Sequence, residues 1–400
     1  MHLLLKKKTG TFQKEWLEIY RCSKNFKSFA LEKHTSTKDH TDATNLVFWL
    51  AENDIPLSKL PKIMQLCRAL ECPKFLSISN PIIYENNISG RQTLSAISNS
   101  IEEAIWKELD EATAFGIMID ESTDISCEPH LIIYVKYCWH GNIKIHFLKL
   151  LQLNGKDSKS IFELVISLFD EKDKLMLFAS DDASVMLGKL TGVAARIKER
   201  NKCLFITYCI AHRLALTSEL IVNIQSFASA VISEIQERFP DRPLLNSMKI
   251  FDHTNWPNNR EELTSYDEKE LNILAEFYGK EQIIQVNNIC EEWFGYKAII
   301  YVNYKNIEIE LLIPKLFEFY YDTFPNIIQL LGIVYSIPFS SVDCERGFLK
   351  QNLIKTDLQN SLNIETLHFL MMVGLEEKDL FEFNFTRAIQ IWNNKCKRRI

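Results

Sequence analysis

The sequence predicts an α/β core with the element order β-β-β-α-β-α-β, preceded by N-terminal helices and followed by an all-α C-terminal part. Three observations carry this. Five short runs between Phe115 and Cys209 are rich in Ile, Phe, Tyr and Leu. The stretches separating the last three of them have helical spacing. From about residue 214 helical spacing continues to the end.

Residues 12–42 are polar and lysine-rich. Val47, Phe48, Leu50 and Ala51 then form one helical face, and Leu60, Ile63, Met64 and Cys67 another, with Pro61 in its first turn as a start signal. Pro73 and Pro81 bracket a loop. Leu94, Ile97, Ile101, Ile105 and Leu109 recur at three- and four-residue steps, which predicts a long amphipathic helix over residues 89–112. The strands are predicted at 115–120, 131–139, 143–153, 174–180 and 203–209, and Gly141-Asn142 signals a hairpin between the second and third. Ile161, Leu164, Val165 and Leu168 predict a helix over 158–169, and residues 184–200 predict another. Residues 239–243 and 254–259 interrupt the later helical region. Residues 339–354 and 364–373 carry strong apolar faces, with Phe348, Leu353 and Ile354 on the first and Leu367, Leu370, Met371 and Met372 on the second. Three meandering strands followed by α-β-α-β is the element order of an RNase H-like fold.

Composition bounds the function. Of 400 residues, 46% are hydrophobic and 24% charged, which excludes a wholly disordered chain, and only 12 Gly excludes a collagen-like one. The net charge of −6 does not indicate a strongly basic nucleic-acid binder. Local basic patches are Lys6-Lys7-Lys8, then Lys189, Arg196, Lys198, Arg200 and Lys202, then Lys395, Lys397, Arg398 and Arg399; each reads equally as solvated surface. The apolar stretches fall short of the ~20 residues of a spanning helix, so no membrane partner is expected. The N-terminus places its lysines after its short apolar run, the reverse of a secretory signal. The 10 cysteines contain no C-x-x-C pair and sit among apolar neighbours. That pattern predicts free thiols in the nucleus or cytoplasm.

Two carboxylates stand out by position. Asp120 lies at the end of the first strand, within Ile119-Asp120-Glu121-Ser122-Thr123-Asp124, and Asp181 directly follows the fourth. Side chains at adjacent strand ends converge on one sheet edge, where a carboxylate pair can hold Mg²⁺ or Mn²⁺ and act on a phosphodiester through two ions. An Asp between strand and helix is equally an N-cap, and Asp181 suits that role.

The strings SGRQTLSAIS, FGIMIDESTDIS, HLIIYVKY, SDDASVMLGKLTGVAARIK and CIAHRLAL, within residues 87–214, resemble the hAT family of transposases and their host-adopted derivatives. Residues 337–372 resemble the family's C-terminal dimerisation region. The resemblance implies an RNase H-like catalytic core and an Asp-Asp-Glu site for DNA cleavage. Matched position by position, that site is Asp120, Asp181 and Glu345, with Mg or Mn as the cofactor if the protein is catalytic. Cys209 and His212 match the family's C-x-x-H element, which places His212 near the scissile phosphate. Phe348, Leu353, Leu367, Leu370 and Met371 become the expected dimer residues, and a homo-oligomer the expected assembly.

Three departures bear on activity. Asp182 stands where relatives usually have Gly, adding charge beside Asp181. The interval between His212 and Glu345 is much shorter than the family's helical insertion, and neither Trp256 nor Trp293 can be matched to its conspicuous Trp. Upstream, Cys22, His34 and His40 leave a zinc finger one ligand short, so zinc is not expected. The implied domains are a finger remnant (1–42), a helical region (43–114), the first part of the core (115–214), a shortened insertion (215–330) and the dimerisation region (331–400). The reading placed first is a transposase-derived, non-catalytic protein that dimerises and retains some DNA association. The second is an active metal-dependent transposase. The third is a SUMO-pathway or other interaction role, for which only residues 131–135 have a suitable composition, and these read as a core strand.

Overall fold

The computed structural model describes residues 38–70, 87–169, 174–181, 183–209, 243–280, 282–356, 362–376 and 378–395. Three helices come first: α1 (Lys38–Glu52), α2 (Leu60–Ala69) and α3 (Asn87–Glu111). The core follows as β1 (Phe115–Thr123), β2 (Pro129–Trp139), β3 (Asn142–Gln152), α4 (Ser158–Phe169), β4 (Leu175–Ser180), α5 (Ser184–Leu187), α6 (Val193–Arg200) and β5 (Phe205–Tyr208). Helices α7 (Pro243–Ser247), α8 (Arg260–Thr264), α9 (Glu268–Gly279), α10 (Val286–Ile299), α11 (Ile309–Phe319), α12 (Pro325–Tyr335), α13 (Val342–Ile354), α14 (Ile364–Gly374) and α15 (Thr386–Lys395) complete the chain.

The strands form one mixed sheet in the order β3-β2-β1-β4-β5. β1, β2 and β3 are an antiparallel meander, while β4 and β5 run parallel to β1. With α4 and α6 as crossovers, this is the expected RNase H-like arrangement. β2 lies in the middle of the meander and is buried along nearly its whole length, which explains an apolar run without alternation. The hairpin turn sits one residue earlier than expected. Trp139 pairs with Asn142, and His140 (φ 47°) and Gly141 (φ 79°) are the central pair, the two positive values of a type I′ turn. Residues 184–200 are two helices rather than one. Gly188 and Gly192 lie between them, and glycine is a poor helix former.

The chain divides into two compact units. The first comprises Met1–Glu103 with Ser361–Ile400. In it α14 and α15 pack on α1, and Phe48 meets the rings of Phe383 and Phe385 at 4.9 and 5.5 Å.

The second unit, Ala104–Asn360, holds the sheet. Pairing register sorts its side chains. Gly116, Met118 and Asp120 share a face with Lys136, Tyr134 and Ile132 of β2, with Leu177 and Ala179 of β4, and with Phe205 and Thr207 of β5. On the opposite face, Phe115 packs on Phe169 of α4 at 5.7 Å, and the Tyr137 hydroxyl donates to Glu108 of α3 at 2.7 Å.

The first face is covered by an extended strap, residues 336–341, and then by α13. Lys136 Nζ donates to Ile337 O (2.8 Å), Thr207 Oγ1 to Pro338 O (2.7 Å), and the Ser341 N–H to Cys209 Sγ (3.3 Å). The strap therefore crosses from β2 over β1 to the end of β5. Gly116 permits this crossing. A Cβ there would lie 2.8 Å from Pro338 Cδ and 2.9 Å from both Leu177 Cβ and Ser336 O, closer than side chains pack. These bonds also explain why the expected helix over 339–354 begins only at Val342: the preceding backbone is committed to the sheet.

In the helical part of this unit, Trp293 stacks on Tyr296 at 5.5 Å and takes Trp256 edge-on at 5.8 Å. Both tryptophans are interior residues of an aromatic core. Lys297 buries its ammonium on the carbonyls of Leu263 and Thr264, at 2.7 Å each, where it closes the C-terminus of α8.

Gly116→Val should lift the strap and lower stability by about 1–3 kcal/mol through overpacking, read as a reduced urea midpoint. An unchanged midpoint would mean the strap does not press on β1.

Candidate functional site at the strand ends

The C-terminal ends of β1, β4 and β5 lie side by side because the three strands are parallel. Asp120 is half-buried in β1, and its Oδ1 accepts the N–H of Glu121 at 2.9 Å. Asp181 is half-buried just past β4, where its Oδ1 accepts the N–H of Ala183 at 3.4 Å. It does not cap α5, whose N-cap is Ala183. Glu345 is exposed on the first turn of α13.

Beside Asp120 and Glu345 lies a thiol. Cys344 is fully buried, and its pKa is pushed well up, first by burial and then by the negative charge of Asp120 and Asp343, with Cys209 and Glu345 adding to it. Lys136 carries positive charge towards the same region. Burial lowers its pKa while Asp343 acts to raise it. The strand-end edge thus gathers Asp120, Asp343 and Glu345 around Cys344 on α13.

Among the described residues, Asp120, Asp181 and Glu345 do not form a group with ligand atoms all within 4.8 Å of one another. Among the described residues, the one group of at least three such side chains with ligand atoms within 4.8 Å of one another is Asp124, Glu128 and His130. His212 lies outside the described residues, as do Cys22 and His34; His40 falls in α1, but its side chain is not described.

Asp124, Glu128 and His130 sit at the β1–β2 turn, where α13 ends. Asp124 Oδ1 accepts the N–H groups of Ser126 (2.8 Å) and Glu128 (2.9 Å), which fixes the turn. Its Oδ2 pairs with the ammonium of Lys355, the residue after α13, and both side chains are buried. Burial alone would raise the Asp124 pKa, but the bonds from Lys355 and the Glu128 N–H outweigh it, and the carboxyl is held below its ordinary value. One turn earlier, Gln351 Nε2 meets His130 Nδ1 at 3.0 Å inside the core. Burial holds His130 below its ordinary pKa. Asp124 was visible in the sequence only as part of the strand-end string. Nothing local to residues 347–356 marks Lys355 as its partner or Gln351 as the partner of His130.

The expected dimer residues divide. Leu367, Leu370 and Met371 are 0%, 6% and 0% exposed, so they are core residues of the first unit and not an outward face. An apolar stripe is the same signal for either role. Phe348 is half-buried, whereas Leu353 is 63% exposed beside Leu349 at 64%. Residues 131–135, the candidate SUMO-binding stretch, are the buried middle of β2. Among the basic patches, Lys189, Lys198, Arg200 and Lys202 are exposed and Arg196 is half-buried, while residues 6–8 and 397–399 lie outside the described residues.

Comparison with known families agrees with this architecture. Residues 85–192 match the ZMYM1/FAM200 RNase-like domain, which spans α3 to the start of α6. Residues 301–376 match the hAT family C-terminal dimerisation region, which contains α11, α12, the strap, α13 and α14. An RNase-like sheet closed by an hAT dimerisation region defines a transposase-type architecture. The two matches together support an hAT transposase-derived protein.

Thiol labelling checks the placement of the edge. Cys127 and Cys290 are exposed and Cys344 is buried. Native protein treated with iodoacetamide should carry label on Cys127 and Cys290 but not on Cys344. Raising the pH to about 9, past the ordinary thiol value, should leave Cys344 inert. Early labelling of Cys344 would place α13 off the sheet.

Proposed function

We propose that this hAT-derived protein works as a non-catalytic dimer that associates with DNA. The observation that carries the dimer is the match to the dimerisation region together with the outward pair Leu349 and Leu353 on α13. At i and i+4 they lie on one helical face. Two large apolar side chains left in water are what a helix–helix interface buries. Because α13 is bonded to the sheet, a partner docked there would be held rigidly to the RNase-like domain.

Two observations support the rest. Asp182 stands beside the matched Asp181 where relatives usually have Gly, and the charge it adds at that position supports the non-catalytic reading. For DNA, Lys189, Lys198, Arg200 and Lys202 are exposed cations of α6 and its flanks. A groove of about 450 Å³ opens beside them, lined by Lys189, Lys198, Phe205, Tyr208 and Phe277 among others. Cations with aromatic side chains suit phosphate and base contact.

Light scattering should give a dimer mass for the full chain and a monomer mass for the double variant Leu349→Asp/Leu353→Asp, with an unchanged circular dichroism spectrum. A persistent dimer would remove α13 from the interface. Supercoiled plasmid with Mn²⁺ tests the other half. A mobility shift that weakens in Lys189→Glu/Lys198→Glu/Arg200→Glu, without open circles, is expected. Nicking that disappears in Asp120→Ala would establish the transposase reading instead.

A further inference from the structure

The buried cluster at the β1–β2 turn has the donor set of a metal site, and its cation position is taken by a lysine. We propose that Asp124, Glu128 and His130 bind a divalent transition ion of the Zn²⁺/Co²⁺ class, and that this ion and the Lys355 ammonium exclude one another. The inference is independent of the function proposed above.

Three features carry it. One ligand atom from each of the three side chains lies within 4.8 Å of the other two. One imidazole with two carboxylates suits a borderline first-row ion better than Mg²⁺ or Ca²⁺. The chelating end of Asp124 is also preset, since Oδ1 is held by two backbone N–H groups and Oδ2 is left to face the cluster.

The second feature is an orphaned atom. His130 is completely buried, yet its Nε2 has no hydrogen-bond partner and lies 3.9 Å from Glu128 Oε2. Gln351 Oε1 is orphaned as well. Turning the Gln351 amide over lets Oε1 accept a proton borne on His130 Nδ1, which lies 3.8 Å from Asp124 Oδ2, and leaves the Nε2 lone pair free towards Glu128. That is the state of a ligating histidine, with its second nitrogen fixed by a neighbouring side chain. Ion binding would then occupy the Nε2 orphan, and the turned amide the Oε1 orphan. In the lysine-bound state neither is satisfied.

The third feature is access and competition. Glu128 keeps 48% of its side chain in solvent, whereas Asp124 and Lys355 are closed off. An ion would therefore enter along Glu128. Once bound to Asp124 Oδ2, it would face an ammonium on the same oxygen, also 3.5 Å from Glu128 Oε2. Two cations cannot share that oxygen in a buried site, so one leaves. Loss of Lys355 from the turn would free the C-terminal end of α13, which makes the site a latch between ion and helix.

The test is Co²⁺ titration of the full chain, followed by its visible absorption. Lys355→Met should bind one Co²⁺ at least about tenfold more tightly than wild type, and adding His130→Gln should abolish the gain, a loss of the size that removing a ligand or its support produces. A folded Lys355→Met protein with wild-type affinity, or binding indifferent to His130→Gln, overturns the proposal. Should Lys355→Met fail to fold, wild-type protein decides. Millimolar Co²⁺ should raise acetylation of Lys355, and unchanged acetylation overturns it.

Discussion

The structure of the second unit hangs on one buried charge. Lys355 reaches Asp124 across 231 residues of sequence, and both groups are closed to solvent. A buried pair of this kind contributes little net stability, but separating it is expensive, because each partner left alone is an uncompensated charge. Its effect is therefore one of place. It fixes where α13 must end, and with Ser341 held on Cys209 at the other end, it fixes the whole helix across the sheet. Cys344, Gly347 and Gln351 then fall inward on β1 and β2. Leu349 and Leu353 fall outward by the same rotation.

That geometry joins two parts that family models describe separately. The dimerisation region is not an appendage to the RNase-like domain, because its strap donates and accepts within the sheet's own face. A partner recognised by α13 would meet a surface already bonded to β1, β2 and β5. The strand-end edge and α13 are thus bonded into one piece. Change at Glu345 and change at the dimer surface are changes to successive turns of one helix.

Much of this was legible. The five strands follow from apolar runs, and α4 was bounded correctly because Ile161, Leu164, Val165 and Leu168 repeat at helical steps between clear turn residues. What was not legible depends on partners distant in sequence. Nothing in residues 336–341 says that they are extended; the reason lies in Gly116, Lys136 and Thr207. Nothing in the apolar stripe of α14 says that Leu370 and Met371 face inward, since a core and an interface demand the same residues. The strand-end carboxylates could be named from the sequence, but their separation is set by how α13 is seated. The Asp124–Lys355 pair had no local signature at all.

The order in which the chain is made gives the strap a further meaning. β1 leaves the ribosome early, while the residues that cover its inner face arrive more than two hundred positions later. At ordinary translation rates that interval is about 10–45 s, long beside the microseconds in which hairpins form. Through this time the meander can assemble, but the face bearing Gly116, Met118 and Leu177 stays bare. During synthesis the nascent sheet thus presents this apolar face to its surroundings until residues 336–341 arrive to close it.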